Sequence, residues 1–206
     1  MLTYKDFFEL NSDLSSTKFH AHLFGYNNKK NAEKRLLIGD YEGFEFPLTF
    51  KHERQHKALD ILVTGPYLYL ISDRMKKILE ENKLTGWNPI YVKLFDIKNN
   101  EIPGYYGFSI SGRCGPVDYH KCEIIERRYV ENGPLVKEYI GLPIGLEEWD
   151  GSDFFLPKGW LGTIITPKAA DIFKKNKITN LALTRLSDVV TPEFSLEILG
   201  LKPSCG

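Results

Sequence analysis

The sequence predicts an α+β fold: a mixed, largely antiparallel sheet with two principal helices. Three observations predict it. A strand–helix–strand pattern occurs twice, at about 70–86 and 164–180. Helix start and stop signals bracket the middle of each copy. Turn residues cut the rest of the chain into short apolar or alternating runs of strand length.

The two copies, LISDRMKKILEENKLTG and IITPKAADIFKKNKITN, align without a gap at an offset of 94. Ile71/Ile165, Ile78/Ile172, Asn82/Asn176, Lys83/Lys177 and Thr85/Thr179 are identical. In each, an apolar run ends at a hydroxyl residue, Ser72 or Thr166, whose oxygen can take an orphan helix amide. Asp73 follows in one copy, an acid at the positive helix end. Pro167 follows in the other, at the position where a missing N–H costs nothing. Met75, Ile78 and Leu79 stand at i, i+3 and i+4, as do Ala169, Ile172 and Phe173. Each set is one buried stripe on a helix about 15 Å long. Asn82 and Asn176 are expected to take the left-handed cap conformation, with Lys83 and Lys177 at the negative helix end. A second apolar run follows each helix.

At 206 residues the chain is long enough for a sizeable core. We expect a single domain over 1–206, with 1–57 as a candidate N-terminal β subdomain and 58–206 as the α+β core. Lys+Arg and Asp+Glu both number 27, so the formal charge is zero and nothing draws the whole chain to nucleic acid or to an anionic membrane. The N-terminal stretch MLTYKDFFELNSD lacks a basic-then-apolar signal pattern, and no apolar run approaches a bilayer span. The expected location is cytoplasmic. Three cysteines, Cys114, Cys122 and Cys205, suit a reducing compartment better than a disulfide framework.

Taken in order, residues 19–24 alternate and read as a strand. Residues 36–38 and 44–50 read as strands around a turn at 40–43. Residues 58–64 are apolar apart from Asp60, and 105–110 and 122–130 read as further strands. Asn132-Gly133-Pro134 turns the chain. Residues 141–159 read as a long acidic-aromatic loop, and 194–199 as a last strand.

Several constellations are candidates for chemistry. His52-Glu53-Arg54-Gln55-His56 matches H-E-x-x-H, which on a helix sets two histidines on one face to hold zinc while the glutamate activates water. Glu80 or Glu81 is the candidate third ligand. Arg54 and Lys57 argue against it by interrupting the apolar helix such a site needs, Lys51 and Arg54 would crowd a metal with positive charge, and the flanking runs favour strand. Cys114, His120 and Cys122 lie within nine residues. They lack a C-x-x-C knuckle, and a small buried thiol is the commoner role. His20 and His22 share a strand face and could meet His52 and His56, or simply line a half-wet sheet. Phosphate-binding glycine loops and the G-x-S-x-G elbow are absent. The sequence therefore assigns no catalytic residue, metal or cofactor. The best interaction surface is the run 145–155. There Glu147, Glu148, Asp150 and Asp153 surround the aromatic Trp149, a pattern suited to a cationic protein partner. The competing reading returns Phe154 and Phe155 to the core and leaves the acids solvated.

The stretch from Ala58 to Val189 resembles a family of bacterial immunity proteins from polymorphic toxin systems. Several short pieces carry the resemblance in order. Asp60-Ile61-Leu62 precedes a helix start at Ile71-Ser72 with Ile78-Leu79. Gly86-Trp87-Asn88-Pro89-Ile90 leads to Val92, and Tyr105-Tyr106 opens a strand. Asp118 leads into Lys121-Cys122-Glu123, and Asp153-Phe154-Phe155 precedes the second helix start at Thr166. Position 122 is Cys where the family pattern has Ser, and the first 57 residues lie outside the resemblance. The resemblance implies inhibition of a cognate toxin domain by binding, with no catalytic residues to transfer. The expected function is a cytosolic immunity protein that occludes a toxin; the alternative is a zinc-dependent hydrolase using the HERQH segment. The sequence sets neither the toxin nor the oligomeric state.

Overall fold

The computed structural model describes residues 2–12, 21–26, 31–52, 59–65 and 67–198. In chain order the strands and helices are β1 (Phe8–Asn11), β2 (Ala21–Leu23), α1 (Ala32–Leu37), β3 (Leu48–His52), β4 (Ile61–Val63), β5 (Tyr69–Ser72) and α2 (Asp73–Glu81). β6 (Trp87–Phe95), β7 (Glu101–Ile102), β8 (Tyr105–Ile110), β9 (Gly112–Cys114), β10 (Glu123–Arg127) and β11 (Val136–Ile140) follow. The chain continues with β12 (Phe154–Pro157), β13 (Thr163–Ile165), α3 (Pro167–Lys175), β14 (Ala182–Arg185), β15 (Val190–Pro192) and α4 (Glu193–Ile198).

The fold is α+β, with mostly antiparallel sheets. One sheet runs β14-β1-β13-β12-β9, a second runs β2-β3-β6-β8-β5-β4 with β7 on β6, and a small third runs β10-β11-β15. Among the described residues only β3–β6 and β9–β12 pair in parallel. Among the described residues no helix is long and apolar enough to cross a membrane.

The repeat is a structural repeat. β5 and β6 flank β8, and β13 and β14 flank β1, each antiparallel to its central strand. Each unit is therefore a split strand–helix–strand whose middle strand comes from elsewhere in the chain. Ser72 Oγ accepts from Met75 N, and Thr166 Oγ1 from Ala169 N, so both hydroxyls cap as expected. Met75, Ile78 and Leu79 of α2 share one buried core with Ala169, Ala170 and Phe173 of α3. Phe8, Leu10, Phe108 and Phe154 bring both large sheets into that same core. At the helix ends the expectation needs one correction. The left-handed residues are Lys83 (φ 51°) and Lys177 (φ 49°), while Asn82 and Asn176 stay right-handed. Their amides instead donate to Ile78 O and Ile172 O, which closes orphan carbonyls.

Two buried aspartates tie the copies to each other. Asp60 Oδ1 accepts from the cap hydroxyl of Ser72 at 2.8 Å, and Asp60 Oδ2 from Arg74 Nη1 at 2.6 Å. Oδ2 also accepts from Thr179 N at 2.9 Å and Thr179 Oγ1 at 3.0 Å, which belong to the other copy. Asp153 repeats this atom for atom. It takes Thr166 Oγ1 at 3.0 Å, Lys168 Nζ at 3.3 Å, Thr85 N at 3.0 Å and Thr85 Oγ1 at 3.4 Å. Asp60 N and Asp153 N in turn donate to the hydroxyls of Thr179 and Thr85. Each carboxylate thus caps its own helix and grips the strand connection of its pseudo-equivalent.

Elsewhere the structure redraws several expected elements. Residues 36–38 close a helix, α1, because Ala32, Leu36 and Leu37 bury one side, Gly39 takes φ 82°, and Arg35 binds Asp40 at 2.5 Å. Residues 193–198 are helical, not extended: Leu196 is buried, Phe194 is exposed, and Pro192-Glu193 starts the turn. The expected loop at 141–159 contains β12, with Phe154 in the two-helix core and Phe155 in the core on the other side of the sheet. A strand buried on both faces reads as an unbroken apolar run, here Phe-Phe-Leu-Pro. The described strands within 1–57 also pair beyond it: β1 lies between β13 and β14 in the first sheet, and β3 pairs with β6 in the second.

Two stability measurements follow. Asp60→Ala and Asp153→Ala should each lower the unfolding free energy in urea by about 3 kcal/mol, since each strands buried donors. Arg74→Ala and Lys168→Ala should cost less than about 1 kcal/mol, because those cations are half-exposed. A loss below about 0.5 kcal/mol for either aspartate contradicts the interlock. Glu33, in the first turn of α1, lies against Gly65, where a Cβ would stand 2.1 Å from Oε2. Burial pushes its carboxyl up from 4.5 to about 7, with His22 opposing. The folded state then holds a proton that the unfolded chain releases, so the stability linked to Glu33 is full below 4.5 and lost as pH rises through about 7. Glu33→Gln should therefore gain on the wild type as pH is raised across that window in urea melts. A difference that does not change with pH contradicts the assignment.

Candidate functional site

The acidic run is built from below. Gly115 and Gly145 are packed backbone to backbone, with Gly115 N donating to Gly145 O at 2.9 Å and Gly145 N to Pro116 O at 3.0 Å. A Cβ on Gly145 would stand 3.0 Å from the Gly115 Cα, so small residues let these segments meet. From this base Leu146–Glu148 forms a single 3-10 turn. Trp149 drops inward, edge-on to Phe7 at 5.2 Å, with its indole N–H donating to Ser152 O at 3.1 Å. Asp150 accepts from Arg113 N at 2.8 Å and from Ser152 N at 3.0 Å. Burial pushes its carboxyl up, but these hydrogen bonds, together with the Ser152 hydroxyl, outweigh it and hold the group below the usual range.

Of the five expected contact residues, Glu147, Glu148 and Asp150 are therefore on the surface, and only the two glutamates are uncommitted there. Asp153 is 7% exposed and belongs to the interlock, and Trp149 is an anchor of the core. Asp153 is thus withdrawn from solvent, and Trp149 is only partly exposed. Glu147 borders a groove of about 460 Å³ with Tyr4, Asp118, Pro143 and Ile144. The Asp118–Lys121 turn on its far side leads into the β10–β11 hairpin.

The structure brings forward a surface that the sequence did not single out. The small sheet and α4 carry six exposed large hydrophobic side chains: Ile124, Tyr129, Val130, Leu135, Val190 and Phe194. Tyr129, Val130 and Leu135 crowd the hairpin tip. Among the described residues the buried side-chain oxygens without a hydrogen-bond partner are Tyr119 Oη, in the turn that leads into β10, and Glu138 Oε2 and Thr191 Oγ1 on the small sheet, with Arg127 Nε 3.7 Å from Glu138 Oε2. The other oxygen of Glu138 accepts from the Tyr129 hydroxyl at the tip. Alternating charges at Glu123, Glu126, Lys137 and Glu138 disguise the unit in the sequence as an ordinary solvated hairpin.

The described histidines and cysteines are dispersed. His52 is the last residue of β3, so the backbone there is extended, whereas the H-E-x-x-H reading requires a helix. Glu53 and His56 lie outside the described residues, as do His20 and Cys205. Glu80 and Glu81 are exposed on α2. β2–β3 register pairs Ala21 with His52 and His22 with Lys51, so His22 and His52 face opposite sides of the sheet. Cys114 Sγ donates to Gly115 O and Cys122 Sγ to Gly141 O, while His120 is solvent-exposed. Among the described residues, no group of three or more His, Cys, Asp or Glu side chains is arranged to hold a metal ion.

Burial pushes the Cys114 thiol up to about 12 and that of Cys122 to about 11, each helped by nearby carboxylates. A thiol at about 12 is ionised in only about one molecule in ten thousand at pH 8. Peptide-resolved alkylation of the native protein should therefore leave both residues unlabelled until denaturant is added. Labelling of either at the unfolded rate contradicts these environments.

No protein-family model matches the chain, and no curated protein matches it significantly.

Proposed function

We propose that the chain is an immunity-type binding protein that holds a cognate toxin domain and occludes its active site inside the bacterial cytoplasm. The reading rests on one observation above the others: six large exposed apolar side chains, Ile124, Tyr129, Val130, Leu135, Val190 and Phe194, lie on the small sheet, its hairpin and α4. Exposed apolar side chains gathered on one unit mark an interaction site. The ordered resemblance from Asp60 to Thr166 points to the same class of function.

In this mechanism Tyr129, Val130 and Leu135 at the hairpin tip form the desolvated centre of the interface. Glu147, in the groove shared with the turn that feeds the hairpin, and its neighbour Glu148 steer a cationic toxin surface toward it. The two interlocked units supply rigidity, which limits the ordering cost of association. Binding alone neutralises the toxin, and the protein turns over no substrate.

Co-expression tests this directly. The chain should restore growth to cells producing the toxin domain encoded beside it. Val130→Glu with Leu135→Glu should abolish protection and weaken binding at least about a hundredfold, with an unchanged melting temperature. Glu147→Lys with Glu148→Lys should mainly slow association and reduce its salt dependence. No rescue by the wild type, or full rescue by the hairpin variant, overturns the reading.

A further inference from the structure

Glu9 is a half-buried carboxylate that neither the interlock nor the proposed interface uses. β1 pairs with β13 and β14, placing Phe8 and Leu10 in the two-helix core and Glu9 on the opposite face of the sheet. Its side chain ends in a pocket of about 220 Å³ lined by Tyr67, Tyr69, Trp160 and Gly162. Trp160 Nε1 donates to Glu9 Oε1 at 3.2 Å, and Asn11 Nδ2 to Oε2 at 3.1 Å. These two bonds orient the carboxylate but leave a lone pair on each oxygen. No Lys or Arg is paired with it among the described residues. Gly162 has a geometric reason to be glycine. A Cβ there would stand 2.3 Å from Glu9 Oε1 and 2.4 Å from Trp160 Nε1, filling the place where they meet.

We propose that this pocket binds an organic cation, a guanidinium or alkylated ammonium head, between the rings of Tyr67, Tyr69 and Trp160 and the carboxylate of Glu9. Three aromatic walls each attract a cation by about 0.5–2 kcal/mol when it is desolvated. A carboxylate already taken from water adds a charge-assisted hydrogen bond that a neutral ligand cannot make. Burial pushes the Glu9 carboxyl up, so an arriving cation also relieves the cost of keeping it ionised. The pocket favours an organic head over a hard metal ion. Calcium takes about six to eight oxygens, and Glu9 is the single carboxylate in the lining among the described residues. At about 220 Å³ the space suits a cationic head on a short stem and falls below the roughly 300–1,000 Å³ of drug-sized sites.

The same head group occurs on free small amines and guanidines and on protein side chains. The site stands apart from the toxin-binding reading, and either can fail alone. The test follows the indole N–H resonance of Trp160, assigned with Trp160→Phe, during titration with N-acetylarginine amide, tetramethylammonium and the neutral isostere N-acetylcitrulline amide. The first two should give saturable shifts and the third none. Glu9→Gln should weaken the cations at least about tenfold, and Gly162→Ala should do so with the carboxylate intact. Unchanged Trp87 and Trp149 indole signals establish that each variant is folded. Should Glu9→Gln not fold, the wild-type comparison of arginine against citrulline decides. An arginine-centred peptide that binds at least about tenfold tighter than the free amide supports a protein side chain as ligand, and equal binding supports a small molecule. No saturable shift with any cation, equal binding of citrulline, or an unchanged affinity in folded Glu9→Gln overturns the site.

Discussion

A reciprocal pair of buried carboxylates organises this molecule. Asp60 and Asp153 each accept from a helix-capping hydroxyl in their own copy and from a threonine amide and hydroxyl in the other. Burying two charges costs several kcal/mol per ion unless every lone pair is used. Here four donors surround each carboxylate, and three of the four are held in place by backbone structure. The same contacts that satisfy the charge fix where α2 and α3 begin and how the two large sheets meet. The core between the sheets can then be filled by Phe108, Phe154 and Phe173 without further polar groups.

How much of this was legible follows from the range of each interaction. The helices were readable because cap, stripe and stop lie within a dozen residues. The identity of Thr85 and Thr179 was visible as well, but its meaning was not, since their carboxylate partners lie 68 and 119 residues away. The aspartates themselves escape a gapless alignment. Asp60 stands 12 residues before its cap hydroxyl and Asp153 stands 13 before its own. β12 was hidden by its acidic leader, because polar Asp150 and Ser152 serve a tight turn and not a solvated loop. The helices α1 and α4 are short, and Leu36-Leu37-Ile38 carries strand-like composition until Arg35 and Asp40 close the turn. The acidic run shows the same limit at the level of the site. Its composition suggested five surface contacts, yet Trp149 and Asp153 are turned inward by packing and hydrogen bonds that no local pattern encodes.

The architecture separates the interlock from the exposed apolar surface. The two split units share one core. Among the described residues the three strands of the small sheet pair with one another, and with their hairpin and α4 they carry six exposed large apolar side chains. In the proposed binding role, changes at the hairpin tip alter partner choice without touching the interlock. The Glu9 pocket lies at a third place, beside β1 and the start of β13.

Native-state hydrogen exchange at two amides tests the organising claim most directly. Thr85 N and Thr179 N should exchange only through global unfolding, with the same free energy as the most protected amides of β8 and β13. Exchange of either at the rate of an ordinary surface turn, while those strands remain protected, would contradict it.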